Sequence, residues 1–272
     1  MTVIREPMWD DAPRSRIASV VRSLLTSLSS LGWSARILIS SIAAFPSVVV
    51  RRTSRTELMH QLYVTGIRTL PVIAVVSLFI GMILALQVGL ELIRFNQESF
   101  LGSAVMISLI REMAPFSCAL CLAACVGSSI AGELGTMKVN DEIAALEIMS
   151  ISPVRFLSAP RILALVLMAP LLGFFCCITG VMGGGLVGVT QLGVDFEQYM
   201  ASAMGIVDLK DLYVGLLKAL IFGLVIGTVS VAQGFGATHG ATGVGKATQR
   251  SVIINFLLIL MFGYMVTRLC YR

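Results

Sequence analysis

Beyond residue 69 the chain alternates long apolar runs with short polar connections. A bilayer core about 30 Å thick needs ~20 apolar residues of helix. The run LPVIAVVSLFIGMILALQVGL, 70–90, meets that length as a first span. A second stretch, about 100–131, is too long for one upright helix. It is expected to tilt, bend or protrude. A third run at about 161–189 is rich in Gly, a fourth covers about 212–233 and a fifth about 251–270. The predicted fold is an all-α polytopic membrane protein with about five transmembrane helices.

Residues 14–50 follow a different pattern. IASVVRSLLTSLSSLGWSARILISSIAAF mixes Leu, Ile and Val with many Ser and with Arg16, Arg22 and Arg36. That mixture suits a helix lying in the membrane interface more than one crossing it. The chain thus divides into an N-terminal segment with an interfacial amphipathic helix, 1–60, and a transmembrane domain, 61–272. A sixth crossing within 14–50 is the topological alternative.

One connection stands apart. GELGTMKVNDEIAALEIM, 132–149, carries Glu133, Lys138, Asp141, Glu142 and Glu147 between stretches nearly free of charge. Asn140 is expected to cap a helix there, with Asp141 and Glu142 in its first turn, where acids suit the macrodipole. Val139, Ile143, Leu146 and Ser150 share one side at helical spacing, with Glu147 beside them. Pro153 is expected to end the helix, and Pro160 to open span three. The sequence therefore predicts a short surface helix, about 133–151, held between two spans. A solvated connecting helix is the plain alternative.

Composition narrows the class. Of 272 residues, 57% are hydrophobic and only 13% charged, with mean hydropathy +0.91. Soluble domains carry about 25% charge, so a soluble protein is excluded. The net charge of +5 is read as positive-inside bias and attraction to anionic headgroups. No nucleic acid is expected. The N-terminus has no short apolar core of a signal peptide, so the first spanning helix is expected to direct insertion. Cys118, Cys121, Cys125, Cys176 and Cys177 lie within apolar runs, and His60 and His239 are isolated. No metal site and no cofactor are expected in this chain.

Orientation follows from Lys and Arg beside the spans. Arg51, Arg52, Arg55 and Arg68 precede span one. Lys138, Arg155 and Arg161 mark the second connection, and Lys246 and Arg250 the last. The 190–211 connection instead carries Asp195, Glu197, Asp208 and Asp211 against Lys210. Five spans put the three basic segments on one side, expected to be the cytoplasm, with a cytoplasmic N-terminus. Arg268 and Arg272 at the C-terminus run against this.

Two glycine motifs are rejected as nucleotide sites. GATGVGKA, 240–247, fits G-x4-G-K but has Ala247 where a P-loop needs Ser or Thr, and no strand precedes it. It is read as a Gly-rich turn. GGGLVG, 183–188, lies inside span three, where Gly180, Gly184 and Gly188 form a small-residue packing face.

The Arg111–Glu112 pair in SLIREMAPF carries more chemistry. Ionisable residues inside a membrane normally face a cavity or a partner. Neighbours on a helix point about 100° apart, so each is expected to need further partners. The pair is either a structural lock between helices or a polar spot on an amphipathic substrate's path. Lys218 is a candidate headgroup contact. No nucleophile–base arrangement stands out, so no catalytic residue is named.

Four stretches together resemble one family. They are QLYVTGIRTLPVIAVVSLFIGMILALQ (61–87), SLIREMAPF (108–116), AGELGTMKVNDEIAALEIMSISPVRFLSAPR (131–161) and GGGLVGV (183–189). The chain is similar to the MlaE/YrbE family of ABC-transporter permeases, which serve lipid transport with MCE-domain proteins. The resemblance implies a non-catalytic permease subunit in a bacterial inner membrane, where such systems maintain outer-membrane lipid asymmetry. Implied partners are a second copy of the chain, a cytoplasmic ATPase that holds ATP and Mg²⁺, and a periplasmic MCE-domain protein. Phospholipid is the implied substrate, and some systems add a small regulatory subunit on the ATPase.

Carried over by position, the resemblance implies that Glu133, Gly135, Met137, Lys138, Asp141, Glu142 and Glu147 belong to a coupling helix docking on the ATPase. It implies that Leu84, Phe95, Arg111, Glu112, Met113 and Lys218 lie along the lipid path. Ala114 stands where the family commonly has Gly. The rival readings are a stand-alone secondary transporter or channel using Arg111–Glu112, and a membrane-embedded lipid enzyme.

Overall fold

A computed structural model describes residues 52–238 and 240–271. Among the described residues there are helices and turns but no strand. Five helical runs are long and apolar enough to cross a membrane: Thr56–Arg94, Glu98–Val139, Phe156–Gln191, Leu209–Phe235 and Gly240–Cys270. They are spans one to five below. The interfacial helix expected within residues 14–50, and a sixth crossing there, lie outside the described residues.

Span one is built from two helices, Arg52–Gly66 and Leu70–Arg94. Pro71 stands in the first turn of the second, where a missing N–H costs nothing. Span two is 42 residues long, and its excess length is absorbed by protrusion and by two π-helical turns, Leu109–Met113 and Ala123–Gly127. Such turns are frequent at functional sites. Pro115 follows the first and cannot return the usual bond to the Arg111 carbonyl four residues back.

Span three crosses span one with backbones in contact. A Cβ on Gly81 would lie 1.8 Å from the Gly180 carbonyl oxygen, and one on Gly183 would lie 2.3 Å from that of Leu78. Only glycine permits this approach. Gly180, Gly184 and Gly188 are all buried, as a packing face requires. Beside the crossing, the Ser77 and Thr179 hydroxyls share a hydrogen bond. Span four is the central helix: 72% of its most apolar window is buried, against 28% for span one and 11% for span five. Spans one and five therefore present apolar faces, such as Phe79 and Ile83 or Phe256 and Tyr264, that nothing among the described residues covers.

Contacts sort the connections into two ends. Arg161 bonds Glu133, and Gly135 packs on Ala237 and Val244. These contacts gather the 133–139 segment, the start of span three and the 236–247 segment. At the opposite end Leu192 packs against Gly89, and Tyr271 bonds Asp211. The C-terminus thus shares an end with the acidic connection, despite Arg268. The short helix Phe196–Gly205 in that connection is capped by Asp195 and anchored by Tyr199. The fully buried Tyr199 donates to the Val181 carbonyl at 3.1 Å. Burial pushes its phenol well above the usual range, so it stays a donor.

Three sequence expectations need correction. The charged segment is not one helix from Asn140 to Pro153. Span two runs to Val139 and Asn140 closes it. Asp141, at φ 58°, turns the chain into a separate helix, Glu142–Ile148. Neither Asn140 nor Asp141 makes a side-chain cap. Asn and Asp tolerate the left-handed region better than most residues, and here that tolerance outweighed their capping preference. The helix also stops before Pro153, because Ser150 adopts φ 59°. Third, GATGVGKA is not a turn but the first two turns of span five, which starts at Gly240 rather than 251. A Cβ on Gly243 would lie 1.4 Å from the Thr238 carbonyl oxygen, so this contact needs glycine. Packing there outweighs the roughly 1 kcal/mol each Gly costs a helix.

Candidate functional site

Arg111 and Glu112 do not pair with each other. They leave the π-helical turn of span two in different directions, and each meets its own partners. The Arg111 guanidinium donates two parallel bonds to Asp211, Nε to Oδ1 and Nη2 to Oδ2, both 2.9 Å. This fork geometry is the strong form of a charge-assisted bond. Tyr271 donates to the same Asp211 Oδ1 at 2.7 Å, and its ring lies 4.7 Å from the guanidinium. Burial and the bond to Asp211 push the Tyr271 phenol up, so it remains a donor at neutral pH.

Glu112 lies on the other side. Its Oε1 accepts from Lys218 Nζ at 2.7 Å and from the Thr267 hydroxyl at 2.6 Å. Lys218 also donates to the Arg111 carbonyl at 2.6 Å. That carbonyl is the one Pro115 leaves without its usual helical donor. Thus the proline creates an open acceptor, and a buried ammonium from span four fills it. Lys218 is only 1% exposed, so it is not an open headgroup contact but the partner that holds Glu112. Glu112 itself keeps 41% of its side chain accessible.

That accessible carboxylate borders an apolar groove of about 350 Å³. Met113 and Phe116 of span two face Ile259, Tyr264 and Thr267 of span five, with Phe222 of span four at the base. An apolar trough with one carboxylate held at its edge suits a molecule with an apolar body and a polar head. Of the expected path residues, the structure gathers Arg111, Glu112, Met113 and Lys218. Leu84, half-buried, and Phe95, exposed beside the end of span one, do not line this groove.

The depth of this cluster follows from helix geometry. Glu133 lies 22 residues beyond Arg111, roughly 33 Å at ~1.5 Å per residue. That is close to one hydrocarbon thickness. The Glu133–Arg161 pair, 3.1 Å apart, and the Arg111–Asp211 pair thus stand about that thickness apart along span two. The Arg111–Asp211 pair lies level with the first turn of span four and the end of span five.

At the far end the expected coupling residues divide into two groups. Glu133, Gly135, Met137 and Lys138 belong to the last turns of span two. Glu133 is tied to Ser129 and Arg161, and Gly135 is buried against Ala237 and Val244. Asp141, Glu142 and Glu147 are exposed on the short helix, whose Ile143 faces inward and is buried. Ile148 and Met149 are 85% and 60% exposed beside these acids. The result is an acidic, apolar-tipped projection at the membrane surface.

Sequence reasoning missed Asp211, Tyr271 and Thr267, because each lies 100 or more residues from the pair it serves. The usable signal was charge balance, since an Arg within an apolar run calls for an acid at its own depth. It also missed Ile148 and Met149, which fell off the apolar stripe of a longer helix. No group of three or more metal-ligating side chains occurs among the described residues.

Comparison with known proteins agrees with this architecture. The family model described as "Permease MlaE" matches residues 58–269. A probable ABC transporter permease protein of Rickettsia typhi is 36% identical over 232 residues, covering 85% of this chain and 90% of the relative. The Haemophilus influenzae intermembrane phospholipid transport system permease protein MlaE is 30% identical over 256 residues, 94% of this chain and 97% of its own. A probable ABC transporter permease of Synechocystis is 28% identical over 228 residues, 84% and 87% of the two chains. With five apolar spans and a family match across all of them, the chain belongs to the MlaE permease family.

Proposed function

We infer that the chain is the transmembrane subunit of an ABC-type phospholipid transport complex. The observation that carries the reading is the apolar groove edged by Glu112, with Lys218 and Thr267 fixing the carboxylate. Acyl chains would lie against Met113, Phe222 and Ile259, with the headgroup at Glu112 and Arg111. Leu84 and Phe95 would extend the path along span one, in a cavity between two copies of the chain. The uncovered apolar faces of spans one and five favour such a homodimer.

ATP and Mg²⁺ would bind a separate cytoplasmic ATPase. Glu142, Glu147, Ile148 and Met149 form the docking surface, with Asp141 at the turn. Glu133, Gly135, Met137 and Lys138 would carry its motion into span two. Transport requires two conformations that differ in lipid affinity, because a partner's cycle acts only through such a difference. The π-helical turns of span two supply a place for that change. Basic residues beside the Glu133 end support its lying on the cytoplasmic side of a bacterial inner membrane. The opposite end, with helix Phe196–Gly205, would face an MCE-domain protein in the periplasm. An ion relay through Arg111 and Glu112 is disfavoured, because each charge is already neutralised by a partner of its own.

Native mass spectrometry of the complex co-expressed with its ATPase tests this reading. The expected species holds two copies of the chain, two ATPases and retained phospholipid. A lone chain without ATPase or lipid would overturn it.

A further inference from the structure

A second cavity, of about 190 Å³, opens at the Glu133 end of the molecule. Its walls are the last turn of span four and the first turns of span five. Gln233 and Thr238 line one side, and Thr242, Lys246 and Arg250 the other. Among the described residues no carboxylate lines it. Among the described residues neither Lys246 nor Arg250 forms an ion pair. They stand four apart on one helix face, where like charges repel unless an anion lies between them.

The depth of the cavity identifies the kind of anion. Span five is continuous from Gly240 to Cys270, and Arg250 lies 20 residues before its end, roughly 30 Å. The end of span five is tied to the start of span four by Tyr271 and Asp211. Arg250 is thus one hydrocarbon thickness away, level with the headgroups of the other leaflet, and Lys246 is one turn farther out. In the cavity wall Gly243 lies in backbone contact with Thr238. The Gly-x4-Gly-Lys spacing is not a nucleotide cradle: Lys246 lies inside a helix, and no strand precedes it.

We propose that this cavity is a phosphate-binding site for the headgroup of an anionic phospholipid in the leaflet at the Glu133 end, held by Lys246 and Arg250. The site is separate from the groove at Glu112 and requires only that the chain spans a membrane. It survives if lipid transport is disproved, and transport survives if it fails. Headgroup phosphate and free phosphate share the same chemistry, so the test must separate them.

The full chain, purified in detergent, is titrated with phosphatidylglycerol and read by native mass spectrometry. The wild type should retain one phosphatidylglycerol that Lys246→Ala plus Arg250→Ala binds about thirtyfold more weakly, from the ~1 kcal/mol per basic residue expected near an anionic surface. Lys246→Arg plus Arg250→Lys should keep it, as should Arg94→Ala at the far end of span one. Millimolar inorganic phosphate should not displace it. Loss of the lipid to free phosphate would overturn the lipid assignment. Equal retention by the alanine variant, or equal loss in Arg94→Ala, would overturn the site. So would a lipid-independent effect, in which the alanine variant only releases an acidic protein partner.

Discussion

Removing the Glu112 carboxylate should damage the fold through Lys218, and removing both should repair it. In Glu112→Ala the ammonium of Lys218, 1% exposed, loses its one anionic partner among the described residues and keeps the Arg111 carbonyl. Breaking a buried pair from one side costs about 3–5 kcal/mol. The Glu112 side chain is 41% accessible, so water can enter the space it leaves and the lower end, about 3 kcal/mol, applies. At about 2–4 °C per kcal/mol for a chain of this size, the thermal midpoint should fall by about 6–12 °C in lipid nanodiscs. Glu112→Ala plus Lys218→Met removes both charges and retains the apolar stem, so most of the midpoint should return. Lipid transport should stay low in both variants, because the headgroup contact is gone. An unshifted midpoint in the single variant would refute the buried-pair reasoning. A double variant as unstable as the single one would do so equally.

Further outcomes follow from other contacts. Asp211→Asn should lower the midpoint less, about 1–2 kcal/mol in stability, because Arg111 is 40% accessible and water can solvate it; a loss larger than that of Glu112→Ala would contradict the ranking. Gly81→Val should prevent stable packing of spans one and three, since its Cβ would collide with the Gly180 carbonyl; normal yield and midpoint in detergent would show that the crossing yields easily. Glu142→Lys plus Glu147→Lys should leave the chain folded, since both are exposed, yet weaken co-purification of the ATPase; unchanged association would remove them from the docking surface.

The spans were legible because each is a long apolar run whose length the bilayer dictates. The crossing of spans one and three was half legible: the glycine repeat announced close packing but not which helix would approach. The ends of elements were harder to read. Asn140, Asp141 and Ser150 all follow rules for caps and turns, and local propensity does not say which rule wins at a tight reversal. The start of span five was misread because its glycines look like a loop, when they form its first helical turns, with Gly243 in close backbone contact with Thr238. In the site, Arg111 and Glu112 stood out as charges in an apolar run. Their partners on spans four and five did not, because nothing local links residues 100 or more positions apart. The link between Pro115 and Lys218 was likewise invisible, since it requires knowing which carbonyl the proline abandons and which side chain lies opposite.

The central claim is that ATP use by a partner moves phospholipid along this chain. The most direct measurement is fluorescent phospholipid transfer from proteoliposomes holding the chain, the ATPase and the MCE-domain protein. The account predicts transfer that requires ATP and that falls at least tenfold in Glu112→Ala plus Lys218→Met while the complex stays assembled. Flux driven by an ion gradient through the chain alone, with no dependence on ATP, would contradict it.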